Sequence, residues 1–175
     1  MQTSFQESLR TVRWGLILSM LTIAFGFGLG GAFGAAEDSL KGYLQSQGTA
    51  VLESVYAQDT EKMEAVVNKS WSYFKRAHMH GGGIGTATLA LSLLLAGLGG
   101  AGALRAAAAA GMGLGALGYS VFWLLAGMRA PTLGSTGAAK ESLAWLAIPS
   151  TGLILLGLLL TLILTAFTCW RRPAL

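Results

Sequence analysis

From Gly81 to Met128 the chain runs for 48 residues with one charged side chain, Arg105. As a single helix this stretch would be about 70 Å long, more than twice the ~30 Å hydrocarbon core of a bilayer. It must therefore double back. The turn is expected between Gly97 and Ala108, where Gly97, Gly99, Gly100 and Gly102 permit a tight backbone and Arg105 marks the water. This gives transmembrane helices over 81–104 and 106–128. Two further apolar runs, 14–36 and 142–170, carry no charge except near their ends; Arg10 and Arg13 precede the first, and Arg171 and Arg172 close the second. Only 11% of the chain is charged and 53% is apolar, against roughly a quarter charged in ordinary soluble domains. A disordered chain is excluded and a soluble enzyme fits poorly. The expected fold is all-α, a polytopic membrane protein with four transmembrane helices.

The run 14–36 ends in Gly34-Ala35-Ala36, which resembles a small-residue cleavage site. At about 23 residues it exceeds the usual signal-peptide core of about 7–15, and it reads as a retained span. Residues 37–80 differ from everything around them. They hold Glu37, Asp38, Lys41, Glu53, Asp59, Glu61, Lys62, Glu64, Lys69, Lys75 and Arg76, and no proline. Leu40, Tyr43, Leu44, Val51, Leu52 and Val55, then Met63, Val66, Val67, Trp71 and Phe74, recur at helical spacing. Two amphipathic helices follow, with Asp59 or Thr60 capping the second. Gly42 and Gly48 weaken the first. Residues 129–141, with Pro131, Gly134, Ser135 and Gly137, read as a loop.

Four spans put both termini, 1–13 and 171–175, on one side. Arg10, Arg13, Arg105, Arg171 and Arg172 share that side in short segments, where the positive-inside rule is strongest. The termini are accordingly expected in the cytoplasm of a bacterium, with residues 37–80 and 129–141 outside the inner membrane. Trp14 and Trp170 would mark the inner interface, and Trp123 and Trp145 the outer one.

No acid, lysine or arginine lies well inside a span, which argues against proton relays, voltage sensing and ion-coupled transport. The basic residues form no patch interleaved with aromatics, so nucleic acid is not an expected partner. Small residues recur instead, at Gly26, Gly30 and Gly34, at Gly111 and Gly115, and at Gly157, Thr161 and Thr165. Such steps bring helix backbones together in lipid, within one chain or between membrane subunits.

The one unusual polar element is Lys75-Arg76-Ala77-His78-Met79-His80-Gly81-Gly82-Gly83, which contains both histidines of the chain. Imidazole suits copper, zinc, iron and haem, and the thioether of Met79 suits Cu(I). On a regular helix His78 and His80 point about 200° apart, so a shared metal needs the segment to unwind at its glycines. On an unbroken helix, the edge of a haem b could lie over Gly81, Gly82, Gly83 or Gly85 while His78 supplies one axial nitrogen. The second ligand would then come from another protomer or subunit. The plainer alternative is that both rings only cap helix ends, bond headgroups or line a polar contact.

Arg76-Ala77-His78-Met79-His80-Gly81, the apolar hairpin, Trp123-Leu124-Leu125-Ala126-Gly127 and a last helix opening near Ile148-Pro149 resemble small bacterial inner-membrane proteins. Those carry an Ala-His-x-His-Gly element at the start of their second span. The resemblance covers most of residues 70–165 and implies a four-helix membrane fold without an activity. The paired histidines are also faintly similar to those of haem–copper oxidase subunit I proteins, but this chain lacks the further histidines such a core requires.

Three functions follow as expectations. The first is a non-catalytic subunit or assembly factor of a respiratory or metal-handling membrane complex, with a histidine-based metal or haem contact at the outer face. The second is a homo-oligomeric haem or copper protein of electron transport. The third is a small channel or carrier for a neutral solute. No spacing of Ser, His and acid joins a nucleophile to a base, so no catalytic residue is assigned.

Overall fold

The computed structural model describes residues 5–98 and 101–170. Gly99 and Gly100 of the expected turn, and Arg171 and Arg172, lie outside the described residues. Among those described the chain is all-helical: α1 (Phe5–Thr11), α2 (Arg13–Thr49), α3 (Thr60–Gly97), α4 (Gly102–Leu133), α5 (Thr136–Glu141) and α6 (Ala144–Trp170). Four of these, α2, α3, α4 and α6, are long and apolar enough to cross a membrane. Helices α2, α3 and α4 pack against one another, and α6 lies almost entirely on α4. The outward faces carry Ile17, Met20, Leu21 and Phe27 on α2 and Leu155, Leu156, Leu159, Leu162 and Phe167 on α6, all exposed. Those faces suit lipid, and they leave the small and polar residues for the interior.

Composition changes sharply at residues 37 and 80. At the first boundary α2 leaves helical geometry at Ala36 (φ −145°, ψ 32°), a kink beyond which a second helical segment runs to Thr49. At the second boundary α3 does not stop: it runs unbroken for 38 residues, about 57 Å. A switch from apolar to polar side chains removes no backbone hydrogen bond, and without proline nothing breaks α3 there. The polar ends of α2 and α3 therefore stand beyond the apolar faces as an arm. Leu44, Tyr56, Met63, Val67 and Phe74 form its core. Gly48 lets the arm close, because a Cβ there would sit 2.9 Å from the Met63 side chain.

Asp59 caps α3, its carboxylate accepting from the Lys62 amide at 2.9 Å, and Glu61 follows in the first turn, where negative charge meets the positive helix end. The connection 50–59 folds back over the end of α4. Tyr56 is buried there, and its phenol donates to the Pro131 carbonyl at 2.7 Å. Burial raises the Tyr56 pKa above its ordinary value of 10.0. Ala57 (φ 52°) and Gln58 (φ 67°) hold the left-handed backbone that makes this reversal.

The stretch 129–141 is not the loop its prolines and glycines suggest. Helix α4 runs through Pro131 to Leu133 and stops at Gly134 in the left-handed region (φ 63°). Proline so near the end removes only one hydrogen bond of the ladder, and Gly134 supplies the positive φ that ends many helices. Ser135 then caps α5, accepting from the Ala138 amide at 3.2 Å.

Arg105 does not mark water. It is 8% exposed, and its Nη1 donates to the carbonyls of Leu98 (2.6 Å), Leu95 (3.3 Å) and Ala96 (3.4 Å). The last carbonyls of α3 have no intrahelical donor, and a cation at a helix C-terminus is favoured. Arg105 thus fastens the α3–α4 turn instead of leaving it.

Candidate functional site at the junction of arm and bundle

Both histidines lie on α3 where the arm enters the bundle, and α3 stays helical through Gly81, Gly82 and Gly83. The two rings accordingly turn to different neighbours. His78 faces α2. Its Nδ1 lies 2.7 Å from the Gly26 carbonyl oxygen; a carbonyl only accepts, so Nδ1 carries a proton and donates it. Gly30 makes room for the ring, since a Cβ there would stand 2.7 Å from His78 Cε1. Phe33 meets the imidazole edge-on at 5.9 Å between centroids.

His80 turns toward α4. Its ring centroid is 5.2 Å from that of Tyr119 and 6.1 Å from that of Trp123. One turn earlier, the Arg76 guanidinium lies over Trp123 at 4.8 Å and near the Tyr73 ring at 5.5 Å. Trp123 is 8% exposed. It was expected to belong to an interfacial belt, but it is packed among Tyr73, Tyr119 and Phe122. Trp14, Trp145 and Trp170 are exposed, as a belt requires. Met79 points outward, 64% exposed, away from both imidazoles.

Just below, α2 and α3 touch backbone to backbone. A Cβ on Gly26 would meet the Gly82 nitrogen at 2.5 Å, and one on Gly81 would meet the Gly26 Cα at 2.7 Å. A Cβ on Gly85 would press on Ile23 and Thr22. A buried hydrogen bond of 2.9 Å joins Ser19 Oγ to Thr88 Oγ1 one turn deeper. Gly82, Gly83 and Gly34 have nothing within 4 Å of a built Cβ.

The other small residues sort by helix pair. Gly115 on α4 meets the Ser150 carbonyl and Ile154 of α6, Gly157 on α6 meets Met112 and Ala108 of α4, and Gly111 lies 3.7 Å from Leu153. Thr161 is buried and bonds back to the Gly157 carbonyl at 2.7 Å; Thr165 does the same to Thr161 at 2.8 Å. Sequence reading missed Gly15 against Ala109, Gly113 against Leu18 and Gly127 against Phe74. Nothing in a lone glycine says which neighbour it admits. The Arg76–Trp123 stack was equally hidden, because it joins residues of two helices.

Metal or haem binding can be tested against this geometry. His78 has the arrangement common in metal ligands, with one ring nitrogen donating to a carbonyl and the other free. His80 and Met79 do not converge on it. Among the described residues no three of His, Cys, Asp and Glu come together. The α3 surface at Gly81 and Gly85 is occupied by α2, which leaves no space there for a haem edge. A set of ligands within one chain therefore does not fit this arrangement. The junction does hold α2, α3 and α4 together at one level and presents Arg76 at the surface. No family model, curated protein or solved structure matches the chain.

Proposed function

We propose that the chain is a non-catalytic integral membrane subunit or assembly factor of a larger membrane complex, respiratory or metal-handling. It sits in the inner membrane of a bacterium, with both termini in the cytoplasm and residues 37–80 outside. The observation that carries this reading is the continuity of α3 from the apolar bundle into the arm, with the segment of α2 beyond its kink at Ala36 packed beside it. At 1.5 Å per residue, the part of α3 ahead of Arg76 extends about 24 Å. Two packed helices hold a docking surface at a fixed distance and angle, which a flexible loop does not. The polar groups inside the spans support the same reading. His78, the Ser19–Thr88 pair and Arg105 are all engaged in joining helices.

Site-specific photo-crosslinking tests this in cells. A photoreactive side chain at Asp38 or Glu64, both exposed on the arm, is expected to give one discrete adduct whose mass and peptides identify another membrane-complex subunit. The same group at Leu159 on the lipid-facing side of α6 is the comparison. Diffuse or identical labelling from arm and α6 positions would overturn the proposal. Orientation is read separately. With Cys169→Ser as background, Ser46→Cys is expected to react with an impermeant maleimide on intact spheroplasts, and protection until lysis would reverse the assignment.

A further inference from the structure

Arg76 is the last charged residue before a run of 28 residues without Asp, Glu, Lys or Arg, which ends at Arg105. It therefore stands at the level where α3 enters the apolar region. Its guanidinium is fixed over Trp123 and beside Tyr73. Among the described residues it has no carboxylate partner; the ion pair found there is Lys41 with Glu37, elsewhere on the arm. Its N–H groups make no hydrogen bond among the described residues, which leaves the guanidinium fork free for two oxygens of a phosphate. An arginine held against aromatic faces and lacking an acid suits an anion.

What lies below Arg76 decides which anion. At 100° per residue, positions 76, 80, 83 and 87 fall on one face of α3. His80 is partly buried against Tyr119 and Trp123 and makes no hydrogen bond among the described residues. Gly83 is exposed with nothing within 4 Å of a built Cβ, and Ala87 is exposed as well. From the surface inward, the face thus offers a cation, a hydrogen-bonding imidazole, and then an exposed apolar strip of small residues. Soluble phosphates would use only the first part. We propose that this face of α3 binds a phospholipid, with the lipid phosphate on Arg76, a glycerol or headgroup oxygen within reach of His80, and an acyl chain along Gly83 and Ala87. The bound lipid would lie against this face of α3 and fix the level at which the arm leaves the membrane.

The test is native mass spectrometry of the full chain in detergent, titrated with phosphatidylglycerol, with diacylglycerol of the same chains, and with inorganic phosphate. Wild type is expected to retain one phosphatidylglycerol and neither of the other two. Losing a charge-assisted contact is expected to weaken retention about tenfold in Arg76→Gln. Lys75→Gln removes the same charge one residue away and is expected to change retention less than about twofold. Gly83→Leu puts a bulky side chain where the acyl chain would lie and is expected to lower retention with the headgroup contacts intact, so the proposal stays testable if Arg76→Gln fails to fold. Equal loss in Lys75→Gln and Arg76→Gln would overturn it. So would retention of diacylglycerol equal to that of phosphatidylglycerol, or inorganic phosphate displacing the lipid.

Discussion

Replacing Gly26 by alanine is the most demanding test of the α2–α3 joint. A Cβ at Gly26 would stand 2.5 Å from the Gly82 nitrogen and 2.7 Å from the Gly81 carbonyl carbon. Both are backbone atoms of a helix and cannot rotate away. Ordinary contact begins at 3.4 Å, so the helices must part by 3.4 − 2.5 = 0.9 Å at this level. The His78–Gly26 bond would then stretch from 2.7 Å past the reach of a useful hydrogen bond. The nearby Ser19–Thr88 bond of 2.9 Å would be strained as well. Overpacking costs about 1–3 kcal/mol, and each lost hydrogen bond about 0.5–1.5 kcal/mol. The better helix propensity of alanine returns about 1 kcal/mol. The net expectation is a destabilisation of about 1–5 kcal/mol. Gly28→Ala on the same helix has nothing within 4 Å of its new methyl, so it is expected to be neutral or to stabilise by up to about 1 kcal/mol. Unfolding of the detergent-solubilised protein by increasing SDS reads both. Equal midpoints for the two variants would refute the close packing of α2 on α3.

Further outcomes follow from the same reasoning. Tyr56→Phe removes the donor to the Pro131 carbonyl and is expected to cost about 1 kcal/mol in the same unfolding assay. Because the folded-state pKa of Tyr56 lies above 10.0, its contribution is whole below that pH and is lost as pH climbs through the folded-state value. Wild type should therefore lose more stability than Tyr56→Phe as pH rises above about 10, and parallel pH curves would contradict the buried phenol. Arg105→Ala strips the cap from the end of α3 and is expected to cost about 2–3 kcal/mol. Hydrogen exchange should rise at the α3–α4 turn, and unchanged exchange there would refute the cap. Ala57→Gly relieves a left-handed alanine and is expected to stabilise by about 1 kcal/mol, seen as a raised midpoint.

The spans were legible because lipid imposes a coarse requirement that composition meets directly: four long uncharged runs, four helices. The cap at Asp59 was legible because capping is local, fixed by one carboxylate and the amide three residues on. Legibility ended where meaning depends on a neighbour. Arg105 has the composition of a turn residue in water, but the carbonyls it satisfies belong to the preceding helix. Trp123 has the spacing of a belt residue, but its partners are Tyr73 and Arg76 of α3. Residues 37–80 were separated from the spans on composition alone; the boundary at 36–37 coincides with the kink at Ala36, whereas α3 runs unbroken across residue 80. The histidines show both sides. Their divergence on a regular helix follows from 100° per residue. That Gly26 holds one and Tyr119 the other required the packed helices.

Native mass spectrometry of the protein extracted gently from its own membrane asks whether this chain works as a docked subunit of a larger membrane complex, because bound mass and partners are read together. The expected result is the chain in fixed ratio with one or more larger membrane subunits. A chain recovered alone, or as a homo-oligomer carrying stoichiometric haem or copper, would contradict it.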